Sequence, residues 1–277
     1  MLDMDKTAPD IGFLGSTPFT RLKALMKTLR DPQNGCPWDR EQSFTTIAPY
    51  TIEEAYEVAD AIERGHMDDL KEELGDLMFQ VVFYAQMAEE DGSFNLDDIC
   101  DGLTQKMVRR HPHIFKQTDN RSAANQTSAW EAIKAKERAE KLARNNRPPS
   151  LLADVPLNLP ALSRAEKLQK RAARVGFDWP NLDGVIDKIA EEAAELAYAH
   201  KQMDMDAIED EMGDLLFAVT NLSRKLGINP ETALRRTNKK FTNRFEYIER
   251  TADAQNKKLE DMSLDEMEAL WQAAKKA

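Results

Sequence analysis

The acidic pattern Glu-Glu-x-x-Glu, fifteen residues, Glu-x-Gly-Asp occurs twice in the chain, 138 positions apart. The first copy comprises Glu53, Glu54, Glu57, Glu73, Gly75 and Asp76; the second comprises Glu191, Glu192, Glu195, Glu211, Gly213 and Asp214. Each aspartate opens an apolar run, Asp76-Leu77-Met78-Phe79 and Asp214-Leu215-Leu216-Phe217. Carboxylates crowded in this way repel, so some must hold protons unless a cation sits among them. An oxygen-only donor set suits a hard divalent ion such as Mg²⁺, which binds substrate phosphates as well as protein carboxylates. Neither copy contains histidine, which disfavours the di-iron chemistry of helix bundles and its Glu-x-x-His motif. A single Glu-rich helix is more often a solvated face. Two copies that keep the spacing, the glycine and the aspartate together argue for a site.

The elements that must position these acids are helices. Apolar residues recur at three and four positions through stretches rich in Ala, Leu, Met, Glu and Lys, and strand-like alternation is scarce. The pattern predicts helices over 19–30, 49–64, 67–90, 95–110 and 124–144, then over 158–174, 182–202, 204–227, 229–252 and 263–276. Thr51, Asn95, Ser263 with Glu266, and Pro230 after Asn229 read as start signals. In an antiparallel helix hairpin, residues equidistant from the turn lie at one height. About Met203, Glu195 then faces Glu211 and Glu192 faces Asp214; about Gly65, Glu57 faces Glu73 and Glu54 faces Asp76. Residues three apart share a helix face, so each copy yields four carboxylates between two helices. A glycine inside the second helix of each pair costs stability. Gly75 and Gly213 therefore predict a close approach by another backbone or a ligand.

With 277 residues and an internal repeat, the chain is expected to form two similar halves. The expected boundaries are a flexible tail over 1–18, a first domain over 19–145, a linker over 146–157 around Pro148-Pro149, and a second domain over 158–277. A net charge of −11 argues against nucleic acid or an anionic membrane as the partner. Two cysteines, Cys36 and Cys100, are too few for a disulfide framework and suit a reducing compartment. No apolar stretch is long enough for a membrane span, and Met1 to Thr20 lacks the apolar core of a signal peptide, so a cytoplasmic location is expected. The loop over 31–45, dense in turn residues around Trp38, reads either as functional or as a plain turn with an aromatic anchor.

Further segments join the acidic pattern: Arg30-Asp31-Pro32 with Gly35-Cys36-Pro37-Trp38-Asp39, Arg109-Arg110-His111-Pro112-His113-Ile114-Phe115, and Lys167-Leu168-Gln169-Lys170 with Val175-Gly176-Phe177-Asp178-Trp179. Together they make the chain resemble the MazG family of nucleoside triphosphate pyrophosphohydrolases, in its two-domain bacterial form, from about Phe19 onward. The resemblance implies an all-α fold. Two tandem MazG-like helical domains would each hold an antiparallel helix pair carrying the acidic motif, with the bundle completed by homodimerisation. It also implies hydrolysis of NTPs and dNTPs to NMP and pyrophosphate through attack of magnesium-activated water at the α-phosphorus, with Mn²⁺ able to substitute.

Carried over by this resemblance, Glu192, Glu195, Glu211 and Asp214 are metal ligands, and Glu191 positions the water or completes the coordination. Glu54, Glu57, Glu73 and Asp76 form the matching N-terminal metal site. Lys240 and Arg244, four apart on one helical face, are the candidates for phosphate contact. Trp271 reaches the base or packs at the C-terminus, and Phe177 and Trp179 shape a base pocket or serve as anchors. His111 and His113 bind phosphate or metal, or cap and pack. Setting Phe115 against Phe245 puts Arg110 opposite Lys240 but Ile114 opposite Arg244, and Pro112 interrupts that helix. The C-terminal site is therefore expected to be the main catalyst, and the N-terminal one weak, regulatory or structural. A lysine that relatives carry before the second Glu-x-x-Asp is Ala207 here. Two other readings stand beside this one. The first is a house-cleaning hydrolase restricted to non-standard or deoxynucleotides; the second is a non-catalytic helical module that binds nucleotide or protein.

Overall fold

The computed structural model describes residues 15–115, 130, 133–137, 139–140 and 150–276, and every regular element among them is helical. The chain divides between Ile133 and Lys134 into two compact units. Most of the helix expected over 124–144 lies outside the described residues, as do residues 1–14 of the expected tail and 146–149 of the expected linker. Among the described residues no helix is long and apolar enough to cross a membrane.

The first unit is built from α1 (Pro18–Leu29), α2 (Pro37–Glu41), α3 (Phe44–Arg64), α4 (Met67–Glu90), α5 (Leu96–Arg110) and α6 (Pro112–Phe115). Helix α3 starts a turn and a half before the expected position 49. Ser43 and Thr46 cap each other's backbone there, which satisfies first-turn N–H groups that would otherwise be orphaned. Pro49 thus lies inside the helix, and so does Thr51, whose hydroxyl stands 2.9 Å from the Tyr84 hydroxyl instead of capping anything. Asn95 does open α5, accepting from the N–H groups of Asp97 and Asp98. Helices α3 and α4 form a hairpin across Gly65 and His66, and α1 packs on α4. Gly65 sits at φ 74°, the left-handed conformation that ends a helix with least strain when no Cβ is present. The core behind the hairpin is apolar: Met26, Ile47, Val82, Phe83, Ala85, Met87 and Leu96 are buried together.

The loop over 31–45 is ordered by its own backbone chemistry. Asp31 accepts from the N–H groups of Gln33 and Asn34, and a Cβ on Gly35 would collide with the carbonyls of Leu29 and Asp31. Helix α5 stops before Pro112, as expected, with His111 Nδ1 2.7 Å from the Met107 carbonyl. His111 also contacts the rings of His113 and Trp130, which is the capping and packing role.

The second unit contains α7 (Ala161–Ala173), α8 (Asp183–Gln202), α9 (Met205–Lys225), α10 (Pro230–Ala254), a 3₁₀ turn (Leu259–Asp261) and α11 (Leu264–Ala274). Helices α8 and α9 form the second hairpin, α7 packs on α9 and α10, and α11 packs on α10. Asp204 caps α9, Asn229 caps α10 ahead of Pro230, and Ser263 with Glu266 forms the expected capping box of α11. The apolar run after Ser150 packs onto this unit: Val155 is buried, and Arg171 donates to the carbonyl of Ala153. Buried here beside Val185, Ala199, Ala218, Ile248 and Ala252 are the polar side chains of Glu166, Gln169, Glu192, Thr220 and Asn221.

Candidate metal centre

Each hairpin gathers three glutamates. Ligand oxygens of Glu192 and Glu195 on α8 and Glu211 on α9 lie within 4.8 Å of one another, and those of Glu54 and Glu57 on α3 and Glu73 on α4 do the same. Asp214 and Asp76, the expected fourth corners, fall outside these triples. Burial, and then the charges of Glu195, Glu192 and Asp214, hold the Glu211 carboxyl above its usual range. Glu195 is raised by burial and by Glu192. In the first unit, Glu54 is raised by burial, Asp76 and Glu57, and Glu73 by burial, Glu57 and Asp76. Carboxylates that resist ionisation because of their neighbours are the donor set a divalent cation relieves. Both clusters can bind a metal ion.

Lys188 separates the two sites. Its ammonium lies 2.6 Å from Glu192 and 2.9 Å from Glu191, one turn back along α8. Glu192, 4% exposed, is held below the usual carboxylate range chiefly by this hydrogen bond, and the Lys188 ammonium is pushed well up in turn, by Glu191 first and then Glu192. The matching position of the first unit is Tyr50, whose ring meets Trp38 edge-on at 6.0 Å. There Glu54 has instead a 3.5 Å contact from the amide of Gln80, which is itself buried. Lys188 stands four residues before Glu192, so Lys-x-x-Glu-Glu was a readable i, i+4 signal, absent from the first copy.

Glu192, Asp214 and Lys188 line a cavity of about 460 Å³ together with Leu168, Trp179 and Phe217. Trp179 is fixed against Gly184, where a Cβ would run into the indole ring. Polar groups back this cavity. Arg224 donates to Asn221 Oδ1 at 2.8 Å and to Asp178 Oδ1 at 2.6 Å, and Lys225 adds a 3.3 Å ion pair with Asp178. Burial raises the Asp178 carboxyl, but the hydrogen bonds from Arg224 and Lys225 outweigh it and the net shift is downward. The sequence showed Phe177 and Trp179 as candidates here. It gave no signal for Asn221 and Arg224, which follow the acids on α9 at unremarked positions.

Lys240 and Arg244 do share a face of α10, yet neither lines this cavity. The Arg244 guanidinium lies over the Trp271 ring at 5.4 Å, and Phe241 packs on the same indole at 5.3 Å and stacks with Phe245. Trp271 is thus a platform for Arg244 and Phe241. Gly75 and Gly213 have no other part of the chain within 4 Å of an added Cβ. The close approach expected there is not made by the described residues.

The family model for the MazG nucleotide pyrophosphohydrolase domain matches residues 42–115 and 182–248, one region per unit. The chain is 51% identical over 258 residues to a nucleoside triphosphate pyrophosphohydrolase of Escherichia coli K12, covering 92% of this chain and 96% of that protein. It is 41% identical over 257 residues to the nucleoside triphosphate pyrophosphohydrolase/pyrophosphatase MazG of Thermotoga maritima, covering 93% and 95%. It is also 44% identical over 258 residues to the uncharacterized protein YabN of Bacillus subtilis, covering 93% of this chain and 51% of that protein.

Proposed function

The chain belongs to the MazG nucleotide pyrophosphohydrolase family, and from that premise we propose that its catalytic centre is the acid cluster of the second unit. It is a nucleoside triphosphate pyrophosphohydrolase. The observation that carries the assignment to the second unit is that Glu192 and Asp214 open into a cavity beside Lys188. In this reading NTPs and dNTPs are cleaved to NMP and pyrophosphate, with water attacking the α-phosphorus.

Glu192, Glu195, Glu211 and Asp214 would hold Mg²⁺, or Mn²⁺ in its place. When bound, the metal supplies charge neutralisation for the triphosphate and lowers the pKa of water. The protein's own groups do the rest. Lys188 balances Glu192 while the site is empty of substrate, and its flexible stem lets the ammonium turn to a phosphate oxygen when the triphosphate arrives. Glu191, freed from Lys188 at that moment, is placed to accept a proton from the attacking water. Lys240 and Arg244 meet the pyrophosphate end, with Trp271 holding the guanidinium plane by a cation–π contact. The test is Mg²⁺-dependent turnover of a nucleotide panel with product identification. NMP and pyrophosphate support the reading, whereas NDP and phosphate, or no product, refute it.

The same reading includes a homodimer. Leu74, Met78 and Val81 on α4, and Met212, Leu216 and Val219 on α9, are exposed apolar side chains beside the open glycines. Such stripes are covered in stable proteins, and small residues allow helices to approach closely. Light scattering at twice the monomer mass supports this. A cytoplasmic location suits an enzyme of nucleotides and magnesium.

A further inference from the structure

Lys188 stands where a metal ion has to bind. Its ammonium lies 2.6 Å from Glu192 Oε1 and 2.9 Å from Glu191 Oε1. An ion that took the same Glu192 oxygen at about 2.1 Å would sit within about 5 Å of that ammonium. The Glu192 side chain is 5% exposed and that of Lys188 34%, so water screens the repulsion between the two cations poorly. Metal and ammonium are thus rivals for one carboxylate. Lys188 also lines the cavity beside Glu192, which gives its flexible stem room to swing aside. The first cluster gathers its glutamates as closely and has no such rival. Tyr50 takes the place of Lys188. The side chain that reaches Glu54 is Gln80, whose neutral amide stands 3.5 Å away. Arg64, a cation that acts on Glu73, is held by Asp60 at 2.7 Å and Asp69 at 2.5 Å. Among the described residues no lysine or arginine is hydrogen-bonded to Glu54, Glu57 or Glu73.

We propose that Lys188 is a built-in competitor of the metal, so that in the nucleotide-free protein divalent ions fill the first cluster before the second. A further consequence rests on the catalytic reading of the second unit. A triphosphate that draws Lys188 off Glu192 admits the ion, so loading of the second cluster is conditional on substrate. The first cluster, with no ammonium to displace, holds its ion with or without nucleotide. One acidic motif is thereby tuned to two metal affinities by a single residue, four positions before the ligand on the same helix face.

The experiment titrates the full chain with Mn²⁺ in the absence of nucleotide and reads free Mn²⁺ from its electron paramagnetic resonance signal. Wild type is expected to show two classes of site about 10- to 100-fold apart, the span that groups beside the ligands ordinarily impose on metal affinity. Glu54→Ala with Glu57→Ala should remove the tighter class, and Glu192→Ala with Glu195→Ala the weaker. Lys188→Met should tighten the weaker class by about 10- to 100-fold. Lys188→Arg, which keeps the charge, should leave it no tighter than in wild type. Metal affinity would then rise in Lys188→Met while kcat/KM falls, a split that a damaged fold does not produce. A single class of site in wild type overturns the proposal, as does loss of the tighter class in the Glu192 and Glu195 pair. So does a weaker class that is indifferent to Lys188→Met, or one that tightens equally in Lys188→Arg. Should Lys188→Met fold poorly, which its melting temperature reports, the wild-type order of filling and the two glutamate pairs still decide. No turnover enters the titration. Absence of NMP and pyrophosphate in a separate assay sinks the hydrolase reading and the substrate-conditional loading, whereas the Mn²⁺ titration alone decides the competition.

Discussion

The two helix hairpins gather their glutamates by the same device and to the same closeness, but what stands behind the acids differs. In the first unit position 83 is a phenylalanine, 1% exposed, buried with Met26, Val82 and Met87. In the second unit the matching position is Asn221, 3% exposed, and Thr220 and Lys225 replace Val82 and Met87. Tyr50 is exchanged for Lys188, and Gln86 for Arg224. The first hairpin is therefore backed by a dry core that stabilises it. The second gives up part of that apolar burial and gains a cavity, a guanidinium and an ammonium. In the proposed reading a repeated ligand set need not repeat a function, because the volume and charge beside the ligands differ between the two units.

The comparison is broken most easily at the acids. Glu192→Ala with Glu195→Ala is expected to lower pyrophosphate release by about 1,000-fold or more, since electrostatic stabilisation of the transferring phosphoryl group goes with the metal. Glu54→Ala with Glu57→Ala is expected to retain most of it, and equal losses would show that both hairpins turn over substrate. Next in size is the core. Phe83→Ala should cost about 3–5 kcal/mol of stability in a denaturant titration. Gln169→Leu should stay within about 1 kcal/mol of wild type, because it removes an unsatisfied oxygen together with one hydrogen bond. A reversal would mean that the second unit, not the first, depends on tight packing. Lys188→Met should lower kcat/KM about 10- to 100-fold, as loss of one charge-assisted phosphate contact does; an unchanged value would leave Lys188 a mere counter-ion.

The smallest effect is on pH. Glu54 and Glu73, and Glu195 and Glu211, have raised carboxyls in the folded chain. The stability they lend is full below the ordinary glutamate value of 4.5 and is lost as pH rises through their raised values. Glu192, held down by Lys188, works in the opposite sense: its contribution is present above the ordinary value and is lost as pH falls through its lowered one. Without metal, Glu73→Gln should therefore raise the melting temperature slightly at pH 8 and not at pH 4, and Mg²⁺ should erase the gain. A gain that persists in saturating Mg²⁺ would mean no cation is held at the first cluster.

Much of this was legible in the residues. The hairpin register followed from counting outward from Gly65 and Met203, and the capping residues Asn95, Asn229 and Ser263 announced their helices. Thr51 misled because a threonine before a Glu-rich stretch looks like a cap, while the reciprocal capping pair begins at Ser43, about two turns earlier. Lys240 and Arg244 were visible as a basic helix face, but periodicity carries no information about which cavity a face adjoins. The exchange of Phe83 for Asn221 was equally present in the chain. Its meaning depends on residues such as Gln169, some fifty positions away, and only packing brings those two to one cavity.

Each hairpin is joined by two residues, Gly65 and His66 in one and Met203 and Asp204 in the other. Surface connections ordinarily tolerate added length, but these behave as a vernier. One extra residue would advance the second helix by about 1.5 Å and turn its side chains by about 100°, leaving both helices intact and Glu211 pointing away from Glu195. The tolerance of the site to insertion is thus set at a turn about two helical turns away from the clustered glutamates, and a folded, fully helical protein with no affinity for metal would be the outcome.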